Sequence, residues 1–439
     1  MRKTLKRIAL FVVLAPFALL ILGAIAYFAF ALYAVGGESA VHQQYLKQNM
    51  QEISLSAEDD FKIFDEHFHQ NKVYFLGEVH GYAMPQELDF KLLQHLNKKA
   101  GLTHYLAEVD YSQAYFLNKY LQTGNEKLLS YVFDTWVKYN AQWGNKEFYD
   151  KLKKIYALNK TLPATRQIQI VGVDKIQDMQ VTQRHLKELL ATYSSGSDNT
   201  LDTLQLLVNN DTVKAETLRT YLVSHQPQIK TVAGALPLAE QQALKHVLQN
   251  VQYVQSSTNR DSVMYLNLNK LSEVHGWQND QFYGMWGYTH AMQNQVGGGR
   301  TPFAALLQHE MNTFKGKVVS LNIMSLDSEN MMPTIVMPEA MRDGKAYVTT
   351  SWVNSDGPMV FIDGIKDLKA LTKKNSVSIF KVDGRNSPYR TSSRLALTKV
   401  LLPGQNIQVQ DDKPTIIKAC QYVVLIRNSK AATPIKNTI

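Results

Sequence analysis

Apolar and polar positions fall into blocks along this chain, and the first block is unbroken. IALFVVLAPFALLILGAIAYFAFALYAV, residues 8–35, carries no charged side chain and is longer than the ~20 residues needed to cross a bilayer. Arg2, Lys3, Lys6 and Arg7 precede it and GGESA follows. This bias predicts a single-pass helix with a cytoplasmic N-terminus and the main domain extracytoplasmic, periplasmic or at the cell surface. A cleaved signal peptide has a shorter apolar stretch of about 7–15 residues, so an uncleaved signal anchor over residues 1–37 is expected. The small-residue patterns AIA and ALYA leave cleavage as the alternative.

Beyond a juxtamembrane segment, residues 38–60, short apolar runs alternate with amphipathic stretches. VYFL (73–76), HYLAEV (104–109), IQIVGV (168–173), FYGMWG (282–287) and KVVSLNI (317–323) read as strands. Between the first two, Leu88, Leu92 and Leu96 recur every four residues from Pro85 to Gly101, which is a helix with its start and stop residues. Strand–helix alternation predicts an α/β fold with a mainly parallel central sheet covered by helices. Residues 176–274 hold leucines at helical spacing, Leu186, Leu189 and Leu190 among them, and no convincing strand, so a helical insertion is expected there. A helix opening at Thr301 as cap and Pro302 as first residue follows a QVGGGR loop. Residues 325–439 form a β-rich C-terminal part whose closing run, CQYVVLIRN, either extends the sheet or belongs to a small antiparallel appendage. No Pro/Gly/Ser-rich linker divides residues 61–439, so one domain is expected.

Composition narrows the function classes. The formal net charge is +9, but four of those positives precede the apolar block, and no stripe of basic and aromatic residues marks a nucleic-acid surface. A single cysteine, Cys420, excludes an internal disulfide, a CxxC redox pair and a multi-cysteine zinc site. HEMNT (309–313) lacks the second histidine of a zinc-protease helix, GGGR lacks the GK[ST] of a P-loop, and no GxSxG elbow occurs.

The polar residues that remain cluster at strand ends. VYFL runs into Glu78 and His80, which face the same way if the backbone stays extended, because a strand repeats every two residues. HYLA ends in Glu108 and Asp110, IQIVGV ends in Asp174, and His290 follows FYGMWG. In a parallel sheet all these ends share one edge, where open α/β proteins place their ligand crevice. Taken singly, Asp110 or Asp174 reads more simply as the N-cap of the next helix. Glu87, in the first turn after Pro85, either complements the helix dipole or reaches the same edge. Arg260, Met264, Asn267 and Leu271 share one helix face, which suggests a helix looking partly into a polar pocket.

LGEVHG with nearby Glu87, LAEVDYSQA, WGNKEFYDKLKKIYALNK before IQIVGVD, NRDSVMYLN and GYTHAM resemble, in that order, the erythromycin esterase-like superfamily. The first motif is also similar to those of the ChaN haem-binding lipoproteins and the TIKI metalloproteases. The resemblance covers residues 70–325 and the closing QYVVLIRNSKAATPI. It implies that Glu78, His80, Glu87, Glu108, Arg260 and His290 line a pocket. Glu87, Asp174, Asn267 and Trp143, which opens the third motif, are the expected substrate contacts. A hydrolase would use His80, oriented by Glu78 or Glu108, to take a proton from water attacking an ester, lactone or amide carbonyl, with Arg260 at the oxyanion and His290 as acid. Glu78, His80, Glu108 and His290 also form a mixed O/N set that suits a divalent metal. The alternative is a haem- or metal-binding module without turnover. Expected partners are a small-molecule or peptide substrate and, through the N-terminal helix, the membrane; nucleic acid is not expected.

Overall fold

The computed structural model describes residues 2–56, 61–194, 199–337, 339, 342–401 and 407–435, with side chains from residue 16 onward. Its centre is an eight-stranded sheet. The strands are β1 (Met50–Ile53), β2 (Val73–Glu78), β3 (His104–Asp110), β4 (Gln169–Asp174), β5 (Phe282–Gly287), β6 (Val318–Leu326), β7 (Val377–Lys381) and β8 (Tyr422–Arg427). They lie in the order β1-β7-β8-β6-β2-β5-β3-β4. From β8 to β4 every pair is parallel, and β7 and β1 add an antiparallel edge. The closing run is therefore part of the main sheet, fully buried beside β6. The stretch after the N-terminal helix is also built into the fold: Met50–Ile53 is the edge strand, and Leu46 just before it is buried.

Alternate residues of each buried strand feed two apolar layers. Tyr422, Val424 and Ile426 of β8 enter one core, and Val423 and Leu425 enter the other. The first layer is covered by α2 (Met84–Ala100), α3 (Tyr111–Thr123), α4 (Glu126–Lys138) and α5 (Lys146–Asn159), which follow α1 (Arg2–Val35) in the longer helices. Gly101 ends α2 in the left-handed region at φ 73°, where a residue without Cβ avoids strain. Asp110 caps α3: its carboxylate accepts from the Gln113 backbone at 2.9 Å while the Gln113 amide oxygen accepts from the Asp110 N–H at 3.1 Å.

Between β4 and β5 the helices Met179–Leu189 through Leu238–Gln255 build a separate apolar core from Leu186, Leu204, Leu222, Leu244 and Val251. The helix α6 (Arg260–His275) does not belong to that insertion, although the sequence range 176–274 had included it. Met264, Leu268 and Leu271 pack on Val171, Val173 and Phe282 of the sheet. The next helix starts at Phe303 with Pro302 extended before it, so Thr301 is not its cap. Residues 330–400 add short two-stranded pieces, of which Asn330–Pro333 with Tyr347–Thr350 is the longest.

Candidate functional site

At the carboxyl edge of the sheet, β2 and β5 are paired so that Glu78 lies opposite Gly287. Just beyond, His80 turns its ring back: its Nδ1 meets the Oε1 of the buried Glu78 in a short hydrogen bond. The His80 backbone is clamped as well, its carbonyl accepting from Asn330 Nδ2 at 2.5 Å and Gln142 Nε2 at 3.2 Å. The next residue, Gly81, has φ 96°, and a Cβ there would lie 2.3 Å from the Met331 carbonyl oxygen, so only glycine fits. This arrangement leaves Nε2 facing a recess lined by Gln86, Tyr105, Glu108, Trp143, Lys151 and Arg260. The His80 side chain is 28 % exposed, and Trp143 packs edge-on to it at 5.6 Å.

Opposite stands a second group. The register of β3 against β4 shifts between Ala107 and Asp110, placing Glu108 and Val109 opposite the single residue Val173; such a bulge re-aims side chains near sites. One Glu108 oxygen accepts from the Gly287 N–H at 2.7 Å and the other from Arg260 Nη2 at 2.8 Å. Arg260 also donates to Asp174 from Nε at 2.8 Å and from Nη2 at 2.5 Å. It reaches the edge because Asn259 caps α6, accepting from the Asp261 N–H at 2.9 Å, which puts Arg260 and Asp261 in the first turn. His290 Nδ1 lies 2.5 Å from Asp261 Oδ1, and its Nε2 lies 3.3 Å from Arg260 Nη1. With the proton on Nδ1 donated to Asp261, Nε2 accepts from the guanidinium, which is the tautomer this geometry favours.

The electrostatics follow from this packing. Burial disfavours the His80 cation, but Glu78 in hydrogen-bond contact, with Glu108 beyond it, overrides that and raises the pKa to about 9. Burial would raise the Glu108 pKa, yet Arg260 and the two imidazoles bring it down to about 2. Burial raises the Asp110 carboxyl to about 7, against three backbone N–H bonds, from Gln177, Gln113 and Ser112. Deeper in the recess, Lys151 Nζ donates to Asp89 and, at 2.9 Å, to the Tyr105 hydroxyl, which donates to Asp89 at 2.6 Å. Burial draws the Lys151 pKa down against the pull of Asp89. Four lining residues present a buried polar atom without a protein partner: Glu78 Oε2, Gln86 Oε1, Trp143 Nε1 and Gln177 Oε1. These are free to meet water or a ligand.

The sequence-derived set is thus divided. Glu78, His80, Glu108, Asp174, Arg260, His290 and Trp143 come together at the edge. Glu87 does not: it is exposed on the outer face of α2, in a groove with Ser56, Phe90 and Lys91, because the helix turns Gln86 inward instead. Asn267 is buried, bonding the Val173 carbonyl and Asn250, and holds α6 to the sheet. The proposed metal set does not fit a metal. Both Glu108 oxygens are bound to Arg260 and Gly287, and His290 is held between Asp261 and Arg260. Among the described residues no three His, Cys, Asp or Glu side chains converge on a point. Asp261, Gly287, Gln86 and Asn330 escaped the sequence reading. Asp261 could have been suspected from its place beside Arg260, whereas Asn330 carries no local signal.

No protein-family model matches the chain and no curated protein resembles it in sequence. Its fold does have relatives among solved structures. A Bacillus cereus protein aligns with TM-score 0.64 and 14% identity over 91% of this chain and 100% of that one. A succinoglycan biosynthesis protein aligns with TM-score 0.64 and 11% identity over the same shares, 91% and 100%. A mutant of erythromycin esterase EreC in its open conformation aligns with TM-score 0.57 and 12% identity over 89% and 99%. The chain has the erythromycin esterase-like fold.

Proposed function

On that fold, we propose a membrane-anchored extracytoplasmic hydrolase in which His80 activates water for attack on an ester, lactone or amide carbonyl. One observation carries the reading: the buried Glu78 carboxylate holds His80 by Nδ1, which leaves Nε2 as the free basic nitrogen facing the recess. The imidazole is more basic than the sequence suggested. With two carboxylates nearby its pKa reaches about 9, so it accepts a proton best in alkaline solution, and the pair Glu78–His80 shares the charge it gains.

The geometry supports different roles for Arg260 and His290. Nε and Nη2 of Arg260 are taken by Asp174 and Glu108, and Nη1 is its least committed donor. A carbonyl oxygen gaining negative charge would draw on Nη1. His290, with Nε2 turned to Arg260, serves as a positioning residue for that guanidinium, not as the acid toward the leaving group. Protonated His80 itself then supplies the proton to the leaving oxygen or nitrogen. The recess is small, with Trp143, Phe148 and Met285 as its apolar wall, and a neighbouring cleft lined by Trp136, Tyr139 and Ile176 shares Trp143, Gln177 and Arg260 with it. A substrate with an extended apolar part suits that pairing.

The helix Pro16–Val35 is apolar and long enough to cross a membrane, and the basic residues before residue 8 support a cytoplasmic N-terminus. The test is a screen of the full chain in detergent against ester, lactone and peptide libraries, repeated with His80→Ala. Turnover that the variant loses supports the reading; a substrate turned over equally by both overturns it.

A further inference from the structure

The uncharged run of residues 8–35 is too long for its task. As a helix it measures about 42 Å, while the hydrocarbon core of a bilayer is about 30 Å thick. The excess, about 12 Å, equals eight residues. The last turns of α1 are occupied by contacts with the folded domain. The Tyr27 hydroxyl donates to the Pro358 carbonyl at 3.0 Å. The Phe361 ring packs edge-on to Phe30 at 5.5 Å and Tyr27 at 6.3 Å. Ala34 and Val35 are buried in the same core as Phe361, Ile362 and Leu395, and the Gly364 N–H donates to the Val35 carbonyl at 2.9 Å. A free linker would show none of these.

The domain corner that meets α1 is itself apolar and open. Met359 N–H donates to the Trp352 carbonyl at 3.0 Å, and Leu401 N–H to the Met359 carbonyl at 2.8 Å, so Trp352, Pro358, Met359 and Leu401 lie side by side. Pro358 and Leu401 are exposed and the other two half-buried. On α1, Phe28, Leu32 and Tyr33 remain exposed. Lys399 pairs with Phe361 across the adjoining ladder and is exposed. Aromatic residues flanked by a lysine mark the membrane–water interface, and among the described residues Pro358 and Leu401 of this patch stay exposed.

We infer that residues 8–27 span the bilayer, that Phe28–Val35 is a stalk fused to the domain, and that the corner Trp352–Phe361 with Leu401 is seated in the lipid headgroup layer. The domain is then fixed to the membrane surface and does not swing on a tether. The seat is close to the recess: Trp352 follows Thr350, which pairs with Asn330, which in turn holds the His80 carbonyl. Extended-chain dimensions put that path at no more than about 20 Å. A bilayer-resident substrate is within reach. The inference rests on the anchoring proposed above and is independent of the hydrolase chemistry.

The full chain in vesicles of phosphatidylethanolamine and phosphatidylglycerol gives the test. Cys420 is buried, so an environment-sensitive fluorophore reports on introduced cysteines. Met359→Cys and Leu401→Cys labels should be quenched several-fold more by lipids spin-labelled near the headgroup than the label on Glu87→Cys, which sits on the other face of the sheet. A membrane-impermeant maleimide added outside should modify Tyr33→Cys and spare Leu20→Cys. Met359 and Leu401 labels no more quenched than Glu87, or a Tyr33→Cys as inert as Leu20→Cys, overturns the seat while leaving the anchor. A Leu20→Cys that reacts freely shows instead that the anchoring itself is wrong.

Discussion

Two histidine–carboxylate pairs stand at the same sheet edge and differ in what their second nitrogen meets. In Glu78–His80 the partners are two residues apart and Nε2 faces the recess. In Asp261–His290 they are 29 residues apart, and Nε2 faces the Arg260 guanidinium at 3.3 Å. The pairwise chemistry is the same in both. A carboxylate on Nδ1 fixes the ring and its tautomer, but only a nitrogen open to substrate can exchange a proton with it. The ideal Cβ position of Gly287 lies 3.3 Å from His80 Nε2 and 3.5 Å from His290 Cδ2, so the two rings approach each other over a residue that has no side chain. Position in the packing, not residue type, separates the proposed base from the positioning residue.

The largest effect is expected from His80→Ala, which should lower kcat by about 10²–10⁴-fold, the usual worth of a positioned base, with the fold retained but the thermal midpoint lowered below pH ~9, where the bond to Glu78 contributes stability. The check is steady-state kinetics on whichever substrate the screen yields, and equal rates would remove the distinction between the two pairs. His290→Ala should cost less, on the order of 10²-fold in kcat/KM, through a misplaced Arg260. Asp261→Asn should reproduce part of that loss. In both variants the pH profile should keep the wild-type limb, because His80 is untouched; a vanished limb would make His290 the titrating group.

Glu78→Gln sharpens the contrast through pH. With a His80 pKa of about 9, kcat/KM of the wild type should rise with pH and level off above about 9. Replacing the carboxylate by an amide removes the main force raising that pKa, so the limb should move to lower pH. An activity that falls through the same range would assign His80 as acid in the free enzyme. Stability carries the same sign. A histidine whose folded pKa exceeds its unfolded value of about 6.5 contributes stability fully present below pH ~6.5 and lost as pH rises through about 9. For a partly open pair this is about 1–3 kcal/mol. Denaturant midpoints should show that decline in the wild type and not in Glu78→Gln.

The smallest effects concern residues and ions that the structure sets apart from the pairs. Glu87→Ala should leave kcat/KM within about two-fold, since the side chain is exposed on the outer face of α2. Chelator treatment should also leave activity unchanged, because Glu108 and His290 are engaged with Arg260 and Asp261. Loss of activity restored by a divalent ion would show that those bonds open and that the four residues can regroup as ligands.

Local chemistry made part of this site readable from the chain alone. The five mainly apolar runs became β2 to β6 because short apolar-rich segments between helices are buried best in a sheet covered on both faces. Glu78 and His80 stand two residues apart at the end of one apolar run, and Leu88, Leu92 and Leu96 mark α2 by their spacing, each within a few residues of sequence. The rest depended on contacts that no local rule contains. Tyr422–Arg427 enters the sheet beside β6 only once the buried surface of β6 exists to receive it. Glu87 and Gln86 are neighbours in one helical turn, and which of them faces the recess depends on how α2 lies on the sheet. The bulge that turns Glu108 toward Arg260, the meeting of Asp261 with His290, and the raised pKa of His80 all require charges brought together across long stretches of chain. Coulomb interaction and desolvation depend on distance and burial, and both are set by tertiary packing.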